Sequence, residues 1–358
     1  MTEARPIKAL VVDDAAFMRK QLVEVLSKSD DIEVVAVARH GAEALEAIKN
    51  VKPDVITLDV DMPVMDGLTT IKHIMVKNPV PVVMVSGLAD HGRVTFEALR
   101  LGAIDFFPKP SGTISHDIGD SSQELVKTLK LAAGSNPKVI KRAIATNRKT
   151  PLNHGQNQNV DGVVVVLALQ GAVSGFIRLF SALEGLPNVG FMCVQDISST
   201  VLSAYTRELS SFLECVPFSG SEVVLKARQC MVMSMDGLAS RVEYEKKDSH
   251  LVVSGMSSDL NQFISSMAEK IGKRLCLVIL GGQVPKDTSF LKKVLSTGGT
   301  ILALEPGKCA CSAFPRYIED EGIGNVATGE LDLWERIKGF SRRLFLQKLK
   351  QHKQVDGQ

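Results

Sequence analysis

Four of the five apolar runs in the first third of the chain stop on a polar residue, and this pattern restricts the fold more than any other feature. IKALVV at 7–12 runs into Asp13 and Asp14, and DVITLD at 54–59 ends on Asp59. PVVMVS at 81–86 ends on Ser86, and IDFFPKP at 104–110 ends on Lys109 and Pro110. The remaining run, IEVVAVA, occupies 32–38. Between these runs lie segments of helical spacing. Residues 16–28 carry Phe17, Leu22, Val25 and Leu26, and 41–50 carry Ala42, Leu45 and Ile48. Residues 67–77, 90–101 and 121–133 continue the series. Strands alternating with helices predict an α/β domain, a parallel sheet with helices on both faces. Ligands of such sheets bind beyond the carboxyl ends of the strands. Asp13, Asp14, Asp59, Ser86 and Lys109 all fall there, so the topology predicts one polar crevice.

Three carboxylates held together make a site for a hard divalent cation, and Mg2+ suits it because it takes few carboxylates and bridges to phosphate oxygens. A lysine beside them neutralises charge developing on a phosphoryl group. Ser86 is placed to hydrogen-bond a phosphoryl oxygen. Phosphorylation adds close to two negative charges, enough to shift a two-state loop and an aromatic near Lys109. The motifs VVDD (11–14), DVDMPVMDG (59–67), VSG (85–87) and FFPKP (106–110) closely resemble the response-regulator receiver family, of flavodoxin-like fold. The resemblance implies that Asp59 accepts the phosphoryl group from a chemotaxis-type sensor histidine kinase. It also implies Asp14 and Asp59 as direct Mg2+ ligands, Asp13 as a ligand through water, Asp61 as a ligand through its backbone carbonyl, and Phe106 as the switching aromatic.

The 358 residues suffice for two domains, and a formal charge of +2 gives no reason to expect nucleic-acid binding. No uncharged apolar run reaches the ~18 residues of a membrane span. The opening MTEARPIKALVVDD is closed too early by aspartates for a signal peptide, so a cytoplasmic location without membrane insertion is expected. The six cysteines all lie in the second half with no CxxC pair, which predicts reduced and mostly buried thiols. The segment 134–160 is turn-rich, with GSNP at 134–137 and PLNHGQNQN at 151–159. It reads as an exposed linker holding a short helix at 138–146. The receiver domain is therefore assigned to 1–133.

The second half opens on VVVVLAL at 163–169, too apolar for an edge strand, and continues through VGFMCVQD, RLCLVILGG and TILALE. Helices are expected at 173–185, 198–213, 258–272, 288–297 and 312–321, with short strands and turns over 215–255. This predicts a second doubly wound α/β domain, mostly parallel, over 161–345. KLKQHKQVDGQ at the end reads as a frayed basic tail, assigned to 346–358.

The order of the whole chain resembles the chemotaxis response regulator protein-glutamate methylesterases (CheB-type), which join a receiver to a serine hydrolase. The resemblance is close in VVDDAAFMRK and DVITLDVDMPVMDGLTTIKHIM, and thinner in CVQD, LCLVILGG and GGTILALEP. It implies demethylation or deamidation of glutamyl and glutaminyl side chains on chemoreceptors. Where the family carries its serine in GASTGG, this chain reads LALQGA, with Leu169 at the serine position. Where the family has a histidine in QHMP, Asp196 stands after Gln195. The family's aspartate lies in GMGNDG, and Asp287 corresponds after a one-residue shift in Gly282–Asp287. A serine hydrolase needs a hydroxyl and a base, normally histidine. Of seven histidines only His250 lies in the second domain proper, in the charged turn EKKDSHL. Ser174 is one helical turn past the nucleophile position, and Cys309 and Cys311 suggest packing. These residues predict a degenerate output domain that acts by protein–protein interaction, on a chemoreceptor or another chemotaxis component. The alternative is an active methylesterase or glutamine deamidase with relocated catalytic residues.

Overall fold

A computed structural model describes residues 5–87, 91–109, 118–135, 139, 160–181, 187–197, 199–210, 213–245 and 250–355. The chain divides into two compact units, Met1–Ala145 and Thr146–Gln358. Most of 134–160, with its expected helix at 138–146, lies outside the described residues.

The first unit runs β1 (Ile7–Val12), α1 (Ala16–Leu26), β2 (Ile32–Ala38), α2 (Gly41–Val51), β3 (Val55–Asp59), α3 (Gly67–Lys77), β4 (Val82–Ser86), α4 (His91–Leu101), β5 (Asp105–Pro108) and α5 (Ile118–Ala133). The strands order as β2-β1-β3-β4-β5, and every pairing is parallel. All residues of β3 and β4 are buried, as a parallel strand covered on both faces requires. The chain winds one way from β1 to β2 and the other way through β3, β4 and β5. The switch point therefore falls between β1 and β3, whose carboxyl ends carry the aspartates. Asp66 caps α3 by accepting from the Thr69 amide at 2.7 Å, which fixes the helix start at Gly67, eight residues after Asp59.

The second unit contains β6 (Val163–Ala168), α6 (Val173–Ser181), β7 (Gly190–Gln195), α7 (Ser199–Leu209), β8 (Glu214–Pro217), β9 (Val223–Leu225), β10 (Gln229–Ser234), β11 (Leu238–Glu245) and β12 (His250–Ser257). It continues with α8 (Leu260–Ile271), β13 (Leu275–Gly281), α9 (Ser289–Ser296), β14 (Thr300–Leu304), α10 (Ala313–Asp320), β15 (Asn325–Ala327) and α11 (Glu330–Val355). Seven strands form a sheet ordered β15-β14-β13-β6-β7-β10-β8. All six of its pairings are parallel. The apolar run at 163–169 is central, between β13 and β7, as its composition requires. The short strands of 215–255 separate into two groups. Strands β8 and β10 join the main sheet, while β9, β11 and β12 pair antiparallel in a small sheet of their own.

Two expectations need correction. His250 does not sit in a turn: it opens β12 and pairs with Glu245. The residues after 345 are not frayed up to Val355, because α11 runs on through them. The Lys348 ammonium reaches the buried carboxylate of Asp161 at 3.0 Å, and Asn188 donates to the same side chain at 2.9 Å. That polar anchor and the buried Leu344 hold the helix where sequence composition alone suggested solvent. Among the described residues no helix is long and apolar enough to cross a membrane.

Candidate functional site

The carboxyl edge of the first sheet gathers the residues its motifs singled out. Asp13, Asp14 and Asp59 each offer an oxygen, all within 4.8 Å of one another. Lys109, beyond β5, places its ammonium 2.8 Å from an Asp13 oxygen and 2.7 Å from an Asp59 oxygen. The other Asp13 oxygen accepts from the Ala15 amide at 2.9 Å, and the other Asp59 oxygen from the Val60 amide at 2.8 Å. Asp13 and Asp59 are buried, whereas Asp14 is exposed. Burial pushes the Asp59 carboxyl up; the Asp13 charge adds to this, and the Lys109 contact only partly offsets it. Burial works to lower the Lys109 ammonium, but its bonds to Asp13 and Asp59 outweigh it and leave the pKa raised.

Three carboxylates against one ammonium leave the crevice with an excess of negative charge. The donors are all hard oxygens, which is the chemistry of a magnesium- or calcium-type cation. Asp61, exposed in the loop after β3, contributes no side-chain oxygen to the cluster. Ser86 is buried at the end of β4, and its carbonyl accepts from the Lys109 amide at 2.8 Å, which ties β4 to the lysine. Phe106 is half-buried in β5, paired with Met84.

Two supporting residues escaped the sequence reading. Arg19 donates from α1 to the carbonyls of Asp13 and Asp14, at 2.7 and 2.8 Å, and so pins the acidic turn. Gly67 brings the start of α3 against the backbone of Asp59, and its amide donates to the Val60 carbonyl at 2.8 Å. Among the described residues a groove of about 780 Å³ runs between α1 and α5, lined by Val25, Lys28, Val126, Lys130 and Leu131. It shares no residue with the acidic cluster.

In the second sheet the winding direction reverses between β13 and β6. The crevice there is occupied by the protein itself. Leu169 follows β6 and is only 7% exposed, within the apolar core. Gly282, at φ +113°, lies so close that a Cβ on it would stand 2.5 Å from that of Leu169. Gly281 is also tight, with a Cβ there 2.8 Å from the Cys311 carbonyl oxygen and 2.9 Å from the Ala172 Cβ. Cys309 and Cys311 are both buried, as their packing role predicts, and burial raises both thiols.

Asp196 follows β7, next to Leu169 across the sheet, since Ala168 and Gln195 are register partners. It is half-buried. Asp287 is engaged elsewhere: it accepts from Asn261 at 2.7 Å and from the Ser289 amide at 2.8 Å, so it orders the entry to α9. The Ser289 amide holds its carboxyl below the usual range. Ser174 is buried in α6.

Comparison with known proteins adds the family. Residues 9–115 match the response regulator receiver domain, and residues 164–331 match the CheB methylesterase. The protein-glutamate methylesterase/protein-glutamine glutaminase 1 of Oleidesulfovibrio alaskensis is 31% identical over 362 residues, covering 92% of this chain and 98% of that protein. The chain belongs to this family. The corresponding enzyme of Symbiobacterium thermophilum is 32% identical over 337 residues, covering 89% of this chain and 92% of its own length. An enzyme of the same name from Carboxydothermus hydrogenoformans reaches 47% over 214 residues, 58% of this chain and 60% of that protein. Within a methylesterase-family chain, then, the receiver edge carries a polar cluster. The edge of the methylesterase-type sheet carries Leu169, Gln195 and Asp196. Gln195 is fully buried and donates to the Cys193 sulfur at 3.3 Å, a contact that no motif signals.

Proposed function

We propose that the chain is a chemotaxis-type response regulator that takes a phosphoryl group on Asp59 and acts through its methylesterase-family domain by binding rather than by ester hydrolysis. The observation that carries the first half is the single ammonium of Lys109 shared between Asp13 and Asp59, with Asp14 alongside. Asp14 and Asp59 would hold Mg2+ directly. Both oxygens of Asp13 are already engaged, which suits a role through water. Asp61 would add its backbone carbonyl. When bound, the cation supplies the positive charge that lets carboxylate and phosphate oxygens approach. An Asp59 oxygen attacks phosphorus, the bond to the donor's leaving group breaks, and Lys109 neutralises charge on the phosphoryl oxygens. Ser86 would hydrogen-bond one of those oxygens, and Phe106 would respond by changing rotamer. The donor would be a chemotaxis-type sensor histidine kinase.

The second half rests on the side chains at the other sheet edge. A buried leucine has no proton to give and no lone pair to attack with, and Asp287 is already hydrogen-bonded to Asn261 and Ser289. The partner would be a chemoreceptor or another chemotaxis protein. The names of the relatives favour the second reading, an active methylesterase or glutaminase whose catalytic residues lie elsewhere in the domain. One experiment separates the two. The chain is incubated with acetyl phosphate and Mg2+ and then with methylated receptor. Phosphorylation lost in Asp59→Asn, with methanol release at background, is the result expected. Release above background that falls in Ser174→Ala or Asp196→Ala would establish the hydrolase instead.

A further inference from the structure

Three of the six cysteines gather on one face of the second sheet. Cys215 in β8 and Cys230 in β10 are register partners in neighbouring parallel strands, so their side chains stand side by side on one face. Cys193 in β7 pairs with Val232, two residues past Cys230, so the pleat turns it to the same face. Tyr205 is fully buried in α7, the helix that packs on β8 and β10. Exposure separates them. Cys193 and Cys230 are buried, but Cys215 is partly open on β8, which ends the sheet.

We propose that Cys215 and Cys230 form a peroxide-sensitive pair that closes reversibly into a disulfide across β8 and β10. Register partners in neighbouring strands stand about 4.7–4.9 Å apart. That spacing lies inside the ~4.4–6.8 Å that a disulfide tolerates between Cα atoms. The Cβ atoms, standing side by side at nearly the same spacing, must pinch toward ~3.5–4.5 Å. An edge strand of four residues, held on one side only, can make that movement. The resulting bond is strained, and strained disulfides are readily reduced, which makes the closure reversible.

The order of events follows from access. Cys215, as thiolate, attacks one oxygen of hydrogen peroxide. The O–O bond breaks, hydroxide leaves and is protonated to water, and Cys215 becomes a sulfenic acid. The Cys230 sulfur then attacks the Cys215 sulfur. The S–OH bond breaks, and the hydroxide takes the Cys230 proton and leaves as a second water. Two thiols lose two electrons and one peroxide gains them. Burial holds the Cys230 thiol protonated, so the second step is the slower one.

Trypsin cuts after Arg207, Lys226 and Arg228, which places Cys193, Cys215 and Cys230 on three separate peptides. The full chain is treated with hydrogen peroxide, alkylated with maleimide under denaturing conditions, and digested without reduction. The expected result is a joined peptide of Cys215 and Cys230, loss of maleimide labelling at both together, and full recovery with dithiothreitol. Cys215→Ser, at the partly exposed position, keeps the fold by Trp334 fluorescence and leaves Cys230 labelled after peroxide. Cys193→Ala still forms the joined peptide. Oxidation of Cys215 to sulfinic acid with Cys230 still labelled would overturn the proposal, as would a Cys193–Cys230 bond or a bond between chains.

Discussion

Gly67 is the residue whose replacement tests the geometry of the receiver edge most directly. It begins α3 just after the loop that leaves Asp59, and its Cα packs on the backbone of that residue. A Cβ at position 67 would stand 2.1 Å from the Asp59 carbonyl oxygen and 2.9 Å from the Val60 Cα, whereas real Cβ atoms keep at least 3.0 Å. Gly67→Ala must therefore move the Asp59 backbone or the start of α3 by about 0.9 Å, from 2.1 to 3.0 Å. Both atoms met are backbone, so no side chain can swing away. Overpacking of this kind costs about 1–3 kcal/mol. With a urea slope of ~2 kcal/mol/M, that lowers the receiver's midpoint by about 1 M. The same displacement moves the Asp59 carboxylate off the Lys109 ammonium and out of its place beside Asp14, and a shift near 1 Å costs on the order of 10²-fold in rate.

The assay is phosphorylation of the full chain by acetyl phosphate with Mg2+, followed by intact mass, alongside urea unfolding by far-UV circular dichroism. The control is Gly339→Ala, inside α11, where an added Cβ meets nothing within 4 Å. It should gain up to ~1 kcal/mol from helix propensity. A Gly67→Ala chain that phosphorylates at the wild-type rate with an unshifted transition would refute the close packing of α3 on Asp59.

Three further outcomes are expected. Burial raises the Asp59 carboxyl, so stability it contributes is complete below the unfolded carboxyl pKa and is lost as pH rises through the folded one. Asp59→Asn should therefore stabilise the receiver at neutral pH in chelator, with a gain that shrinks as pH falls, and Mg2+ should stabilise the wild type more than the variant; thermal unfolding across pH reads both. Lys109→Ala removes the one cation shared by Asp13 and Asp59, and phosphorylation from acetyl phosphate should fall about 10²–10³-fold, as when a preorganised charge-stabilising group is deleted. Leu169→Ala empties a buried core position and should cost the second unit about 2–5 kcal/mol, read by the fluorescence of Trp334, the chain's single tryptophan; Leu169→Ser should leave methanol release at background, since Asp196 rather than a histidine stands beside it.

Legibility differed between the two units for physical reasons. Each receiver strand is an unbroken apolar run that needs cover on both faces, and four of the runs end on the polar residues that meet in space. Arg19 was hidden because it acts through backbone carbonyls, and a lone arginine on a helix resembles any solvated charge. The Cys215–Cys230 pair depends on β10 lying beside β8 although β9 intervenes in the chain, a register that periodicity does not encode. The anchoring of α11 rests on Lys348 meeting Asp161, residues 187 positions apart. The crevice of the second unit could be located from topology, but that Leu169 fills it follows only from the approach of Gly282.

One topological rule places a candidate site at the carboxyl edge of both sheets, and the side chains found there set what each edge can do. At the receiver edge, three carboxylates against one ammonium form an arrangement that a phosphoryl group can enter only with added positive charge. On the proposed reading a bound cation would offset that excess of negative charge and admit the phosphoryl group, which would give a two-state switch its driving force. At the second edge Leu169 packs against glycine backbone, and the carboxylate beside it is that of Asp196. A signal arriving there meets a packed apolar side chain rather than a cluster of carboxylates. On the binding reading proposed above it would act by uncovering or covering surface, and an assay of phosphorylation-dependent binding set beside one of turnover separates that reading from hydrolysis.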